Sequence, residues 1–219
     1  MSNCILIVAP HADDEILGTG GTIQKHIEDG DTVSIVIVCD RSYNDSSVLM
    51  SERAEACRAI NRLGVNTSNV YFIGMKDEHL DSNSRDIIKN IEHIYNEIRP
   101  HTVYYCHSAD INTDHHAVNR ACGVITRQLQ HNSPDKVLIY EVPSSTTQSQ
   151  DKTFKPNFYS ILTQQQVDRK ISALLEYKSE VREFPNPRSA QGIETYSMFR
   201  GMECNSSLAE AFQLVIHKE

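Results

Sequence analysis

Two short stretches hold most of the chemically capable side chains of this chain. The first is "PHADDE" (10–15), where an apolar run gives way to a histidine and three acidic residues. The second is "CHSADINTDHHAV" (106–118), crowded with His107, Asp110, Asp114, His115 and His116. His11 and Asp14 are three apart, a spacing that puts both on one side of a first helical turn. His115, at the start of another helix, reaches the same point from the side. Two imidazoles and one carboxylate, with a fourth position left to water, are the donor set of a catalytic zinc site; a structural site would close all four. A plainer account exists for part of this pattern. Acidic residues favour helix N-termini as caps and through the macrodipole, which would explain Asp13, Asp14 and Glu15 without chemistry. It does not explain His11 or a second cluster placed to meet it. For His115 and His116 the plain account, a solvated helix start, fits one of the two.

Such clusters act together only if the fold carries them to one edge. Apolar runs suited to buried strands occur at 4–9, 33–38, 70–74, 102–107 and 137–142, with helix-length segments near 15–29, 51–63, 84–98 and 114–130 between them. Gly30 and Gly64 stand where helices end, and Pro100 stops the third. Continuous apolar strands alternating with helices predict an α/β fold, a doubly wound and mostly parallel sheet with helices on both faces. Ligands of such sheets bind beyond the carboxyl ends of the strands, and both clusters leave strands one and four at that edge. The expected organisation is one domain over 1–219, its core sheet in about 1–143 and additions in about 144–219 that wall the site. Among those additions "TQQQVDRKISALLEYKSEV" (163–181) is helix-like, and "REFPNPRSAQG" reads as a loop.

Composition narrows the partners. With 39% hydrophobic and 23% charged residues, the 219-residue chain can bury a core. Its net charge of −8, without a Lys/Arg cluster, argues against nucleic acid or an anionic membrane as partner. No apolar run approaches the roughly 20 residues that span a bilayer, and no leader opens the sequence. A cytoplasmic protein acting on a small molecule is expected, with homo-oligomerisation left open. Six scattered cysteines without a CxxC pair read as small core residues of a reducing compartment. The glycines of "GTGGT" lack the G-x-G-x-x-G spacing, and carboxylates beside them would repel a pyrophosphate. Gly20 and Gly21 read instead as sites of close helix packing.

With these motifs in this order, the sequence resembles the LmbE-like (PIG-L) family of zinc-dependent N-deacetylases, whose A-H-P-D-D-E and H-x-D-H motifs correspond to "PHADDE" and "NTDH" here. "RAEACRAINRLG" (53–64) and "LAEAF" (208–212) extend the likeness over nearly the whole chain. The resemblance implies a Rossmann-like fold, zinc or another divalent transition metal on His11, Asp14 and His115, Asp13 as general base, and Arg53 in contact with substrate. It implies removal of an N-acetyl or other N-acyl group from an amino sugar or its conjugate, a linear amide rather than a peptide bond. Ala12 replaces the family's proline, a mild change in turn stiffness. Asn112 stands where the second motif has its first histidine; it can donate a hydrogen bond to an oxyanion but cannot be a general acid. His107 or His116, expected near the substrate, would then supply the proton, or Asp13 would return it. Asp114 would orient an imidazole or cap its helix. The competing reading is a metal- or sugar-binding protein without turnover.

Overall fold

Why the five apolar runs become strands is visible in their burial: Ile5, Leu6, Ile7 and Val8 are inaccessible on both faces, as are Ile35, Val36, Ile37 and Val38. A helix would have exposed a polar side in each run. The computed structural model describes residues 2–129, 131–150 and 154–219. In it β1 (Cys4–Ala9), β2 (Thr32–Asp40), β3 (Val70–Lys76), β4 (Thr102–Cys106) and β5 (Lys136–Tyr140) pair in parallel in the order 3-2-1-4-5. α1 (Asp14–Glu28) and α2 (Ser46–Arg62) follow the first two strands, and α3 (Ser84–Ile98) and α4 (Thr113–Ile125) follow the next two. α3 packs on α4, while α1 and α2 pack on α5 (Gln164–Leu174). The fold is thus the expected doubly wound α/β sheet. Its order reverses between β1 and β4, and a crevice at such a reversal is where open sheets hold ligands.

The expected end of the sheet near residue 143 is corrected. β6 (Phe158–Ile161) and β7 (Ala209–His217) extend it to seven strands, with β7 antiparallel between β5 and β6. A segment expected to be a site-walling addition therefore carries core residues, Phe212 among them. A helix also follows the "PNPRS" loop: α6 (Ala190–Glu203), capped by the Ser189 hydroxyl, which accepts from Gly192 N–H. Its exposed Met198, Phe199 and Met202 do not continue a buried stripe with Ile193, so no helical period marks it. Two helix boundaries also move. Asp45 accepts from Ser47 N–H and Val48 N–H and so starts α2 five residues early. α5 stops at Leu174, after which the chain turns to send Tyr177 into the core.

"GTGG" lies inside α1, not in a turn. A Cβ on Gly18 would stand 2.2 Å from Tyr140 on β5, and one on Gly21 would stand 2.4 Å from Leu162 beside β6. One on Gly20 would stand 2.8 Å from Lys170 of α5. Close packing therefore explains these glycines, and a pyrophosphate turn does not.

Candidate metal centre

The turn after β1 is shaped by backbone and carboxylate together. Asp13 takes φ 109°, a left-handed conformation that a residue with a Cβ adopts at a cost, and it is the N-cap of α1 without capping through its side chain. Capping thus fails as an account of Asp13. Glu15 does the local work instead, its Oε2 accepting from Asp13 N–H at 3.1 Å, while Asp14 Oδ2 accepts from His11 N–H at 3.0 Å. Across the switch point, Asn112 caps α4: its Oδ1 accepts from Asp114 N–H at 2.9 Å.

These two helix starts bring three donor atoms together. Asp14 Oδ2 lies 3.3 Å from His11 Nδ1 and 3.1 Å from His115 Nε2, and the two nitrogens are 3.3 Å apart. Bonds of about 2.0–2.1 Å in a tetrahedron put neighbouring donors roughly 3.3 Å apart, so this triangle has the size of one face of a zinc shell. All three residues are buried. Behind each ring stands a carboxylate. His11 Nε2 faces Asp77 Oδ1 at 2.9 Å and Asp114 Oδ2 at 3.3 Å, and His115 Nδ1 lies 3.1 Å from Asp110 Oδ2. Asp110 is fixed in turn by the hydroxyls of Ser145 and Thr146, which donate at 2.8 and 2.7 Å.

The electrostatics of the triangle favour a cation. Burial pushes the His115 imidazole down, but the charge of Asp14 and the nearby Asp110 outweigh it and hold it up at about 9. His11 is likewise raised, its burial overcome by Asp114, Asp14 and Asp77. Asp14, buried between the two rings, stays well below the usual carboxylate range because both attract its charge. Both shifts mark a place where positive charge is favoured, which a divalent ion would supply in exchange for protons.

Asp13 lies on the other side of Asp14. It is fully buried, and neither carboxylate oxygen has a hydrogen-bond partner among the described residues. Arg188 Nε stands 3.3 Å from one oxygen and Arg41 3.8 Å from the other. Burial and the charge of Asp14 push this acid up to about 7, against the pull of the two arginines. Glu180 holds both arginines, pairing with Arg41 Nη1 and accepting from Arg188 Nη1 at 2.6 Å. A cleft opens beside Ala12, lined also by Arg41, Arg53, Phe72, Tyr177 and Glu180.

The structure brings His11, Asp13, Asp14, Asp114 and His115 together and sets the other expected residues apart from them. Asp114 sits behind the His11 ring, within reach to orient that imidazole. The Asn112 side-chain oxygen accepts in the α4 cap, which leaves its amide NH2 as the group it can offer an oxyanion. His116 is exposed, with its ring on the Asp110 carbonyl, because successive side chains at a helix start diverge by about 100°. His107 Nδ1 accepts from Ala109 N–H, and the ring packs edge-on against Phe154 with centroids 5.2 Å apart. Arg53 does line the cleft, yet its guanidinium is paired with Asp40 and lies over the Phe72 ring. Sequence reasoning missed Asp77, Arg41, Glu180 and Arg188. Asp77 and Arg41 directly follow the ends of β3 and β2 and could have been found by that placement. Glu180 and Arg188 follow no strand.

Known proteins resemble this chain to different degrees. An uncharacterized deacetylase of Escherichia coli K12, YaiS, is 27% identical over 181 residues, 80% of this chain and 90% of the relative. The N,N'-diacetylchitobiose deacetylase of Pyrococcus horikoshii superposes with a TM-score of 0.77 at 21% identity, over 98% of this chain and 84% of that one. The 4-carboxy-2-hydroxymuconate hydratase GalB of Pseudomonas putida KT2440 superposes with a TM-score of 0.73 at 20% identity, over 100% of this chain and 98% of that one. At these identities the two structures share the fold, and one fold can host different reactions. Residues 6–126, which include both clusters, match the family described as "PIG-L: GlcNAc-PI de-N-acetylase". The chain therefore belongs to the PIG-L (LmbE-like) family of deacetylases.

Proposed function

We propose that this protein is a zinc-dependent hydrolase that removes an N-acetyl group from an amino sugar or sugar conjugate. The observation that carries the reading is the triangle of His11 Nδ1, Asp14 Oδ2 and His115 Nε2 beside the Asp13 carboxylate, which has two arginines near it but no hydrogen bond among the described residues. A zinc ion on the triangle would acidify water and polarise an amide carbonyl; another divalent transition metal would suit the same donors. Asp13 takes a proton from water as it attacks the carbonyl carbon, and an acid poised near 7 is suited to that exchange. With Asn112 committed to its cap and His107 and His116 turned elsewhere, the same Asp13 passes the proton to the departing amine. Asp114 and Asp77 hold the His11 ring, and Asp110 the His115 ring, so that the inner nitrogens keep their direction. The cleft, walled by Phe72 and Tyr177 with charged groups between them, suits a hydroxylated ring. The six free cysteines accord with action in a reducing compartment. Among the described residues no helix is long and apolar enough to cross a membrane.

The test is acetate release from a panel of N-acetylated amino sugars by zinc-loaded protein, before and after chelation. Metal-dependent release is the expected result. Metal-loaded protein that binds a sugar but frees no acetate would make it a binding protein. Hydration of an enol acid in place of acetate release would assign it the other chemistry known on this fold.

A further inference from the structure

His11 has two ring nitrogens, and only one faces the triangle. Around the other, Nε2, stand Asp77 Oδ1 at 2.9 Å, Asp114 Oδ2 at 3.3 Å and the thiol of Cys39, whose Sγ is 3.8 Å from the same Asp114 oxygen. One donor atom from each of the four lies within 4.8 Å of every other, a nitrogen, sulfur and two-oxygen set that needs little closure to form a tetrahedral shell. His11, Cys39 and Asp114 are buried, and Cys39 also borders the cleft beside Ala12, which gives an ion a way in. We propose that this cluster is a second, inhibitory metal site for a soft divalent cation such as Cd2+ or excess Zn2+.

The two sites exclude each other through one imidazole. A neutral ring offers a single lone pair: when Nδ1 ligates, Nε2 keeps its proton and donates it to Asp77 and Asp114; when Nε2 ligates, Nδ1 keeps the proton and is lost to the triangle. Filling the second site sends the Cys39 thiol proton to solvent, together with any second proton on the His11 ring, and leaves one ring proton, on Nδ1. The triangle is then left with Asp14 and His115. Thiolate sets the preference, since a sulfur donor favours Cd2+ and Zn2+ over Mn2+ or Mg2+. The inhibitory effect rests on the function proposed above, but occupancy of the site does not.

The experiment titrates the protein as purified with Cd2+, following thiolate-to-cadmium ultraviolet absorption and bound metal in parallel. Wild type should develop the thiolate band as one equivalent binds; Cys39→Ser should not, and Cys57→Ser, at a distant thiol, should. Affinity for that ion should fall at least as far in Cys39→Ser as the roughly 10–100-fold that outer partners of metal sites command. Asp77→Asn should weaken binding while keeping the band, which separates loss of a ligand from loss of folding. The Cd2+ concentration that halves acetate release, relative to each variant's own rate, should rise in step, and Mn2+ should not inhibit. A thiolate band that persists in Cys39→Ser, or Cd2+ binding without any band in wild type, would overturn the site. If no sugar is deacetylated, the band and the stoichiometry still decide this proposal by themselves.

Discussion

Asp13 and Asp14 are adjacent, equally buried and of one chemical type, yet their surroundings are opposite. Asp14 looks toward His11 of its own turn and His115 of α4, whose imidazoles attract its charge and hold it ionised. Asp13 looks toward Arg41, just after β2, and Arg188, which approach without hydrogen-bonding it, and burial raises its affinity for a proton. The left-handed turn at Asp13 is what lets two neighbours face different halves of the molecule. Residue type thus fixes what a carboxylate can do, and the element opposite it decides which of those things it does.

The comparison can be broken most severely on the Asp14 side. Asp14→Asn and His115→Ala should each lower metal affinity by more than the roughly 10–100-fold of an outer partner, with activity following, while His116→Ala should leave affinity unchanged. Chelator competition measures this, and equal losses at His115 and His116 would show the triangle to be wrongly drawn. On the Asp13 side, Asp13→Asn should retain metal and lose about 10²–10⁴-fold in kcat. Metal loss in that variant would exchange the two roles.

The contrast sharpens with pH. Asp13 must be ionised to accept a proton, so kcat/KM should fall about tenfold per pH unit below its pKa, which lies near 7 without metal and lower beside a cation. In metal-free protein the sign reverses for stability. The folded pKa is raised above 3.8, so this group's contribution is full below about pH 4 and lost as pH rises through about 7. Denaturant titrations across that window should show a slope that Asp13→Asn removes. The smallest effect is expected at Asn112→Ala, which should cost about 1 kcal/mol of stability as a lost cap and leave kcat unaltered. A drop in kcat without a change in melting temperature would return Asn112 to the catalytic set.

These cases also show what a sequence can carry. β1 to β5 were legible because strands buried on both faces cannot be written without long apolar runs. His11, Asp14 and His115 were legible because they leave strand ends at the reversal of strand order. The cap that Asn112 forms went unread although the pattern of a helix start, an Asn two residues before an acidic one, was in plain view. The ring directions of His107 and His116 were not legible because nearness in sequence does not say which way a ring leaves the backbone. β6 and α6 carry no period to read, and with them went Glu180 and Arg188, whose position depends on a path back across the sheet.

That path has a consequence for how the molecule assembles. Glu210 on β7 accepts hydrogen bonds from Gly21 N–H at 2.9 Å and Thr22 N–H at 2.7 Å on α1, across 189 and 188 residues, and also from buried Lys170 on α5. One carboxylate thus ties the first helix to the last strand. Contacts of such separation form late, since the closure of a long loop must precede them. Until they form, α1 lacks an anchor in its middle, and the turn at Asp13 is attached to a helix that can still shift on the sheet. The half of the centre carried by the parallel strands, His11, His115 and Arg41, is expected to gather early in folding, with Glu180 and Arg188 joining once the chain has crossed back over the sheet.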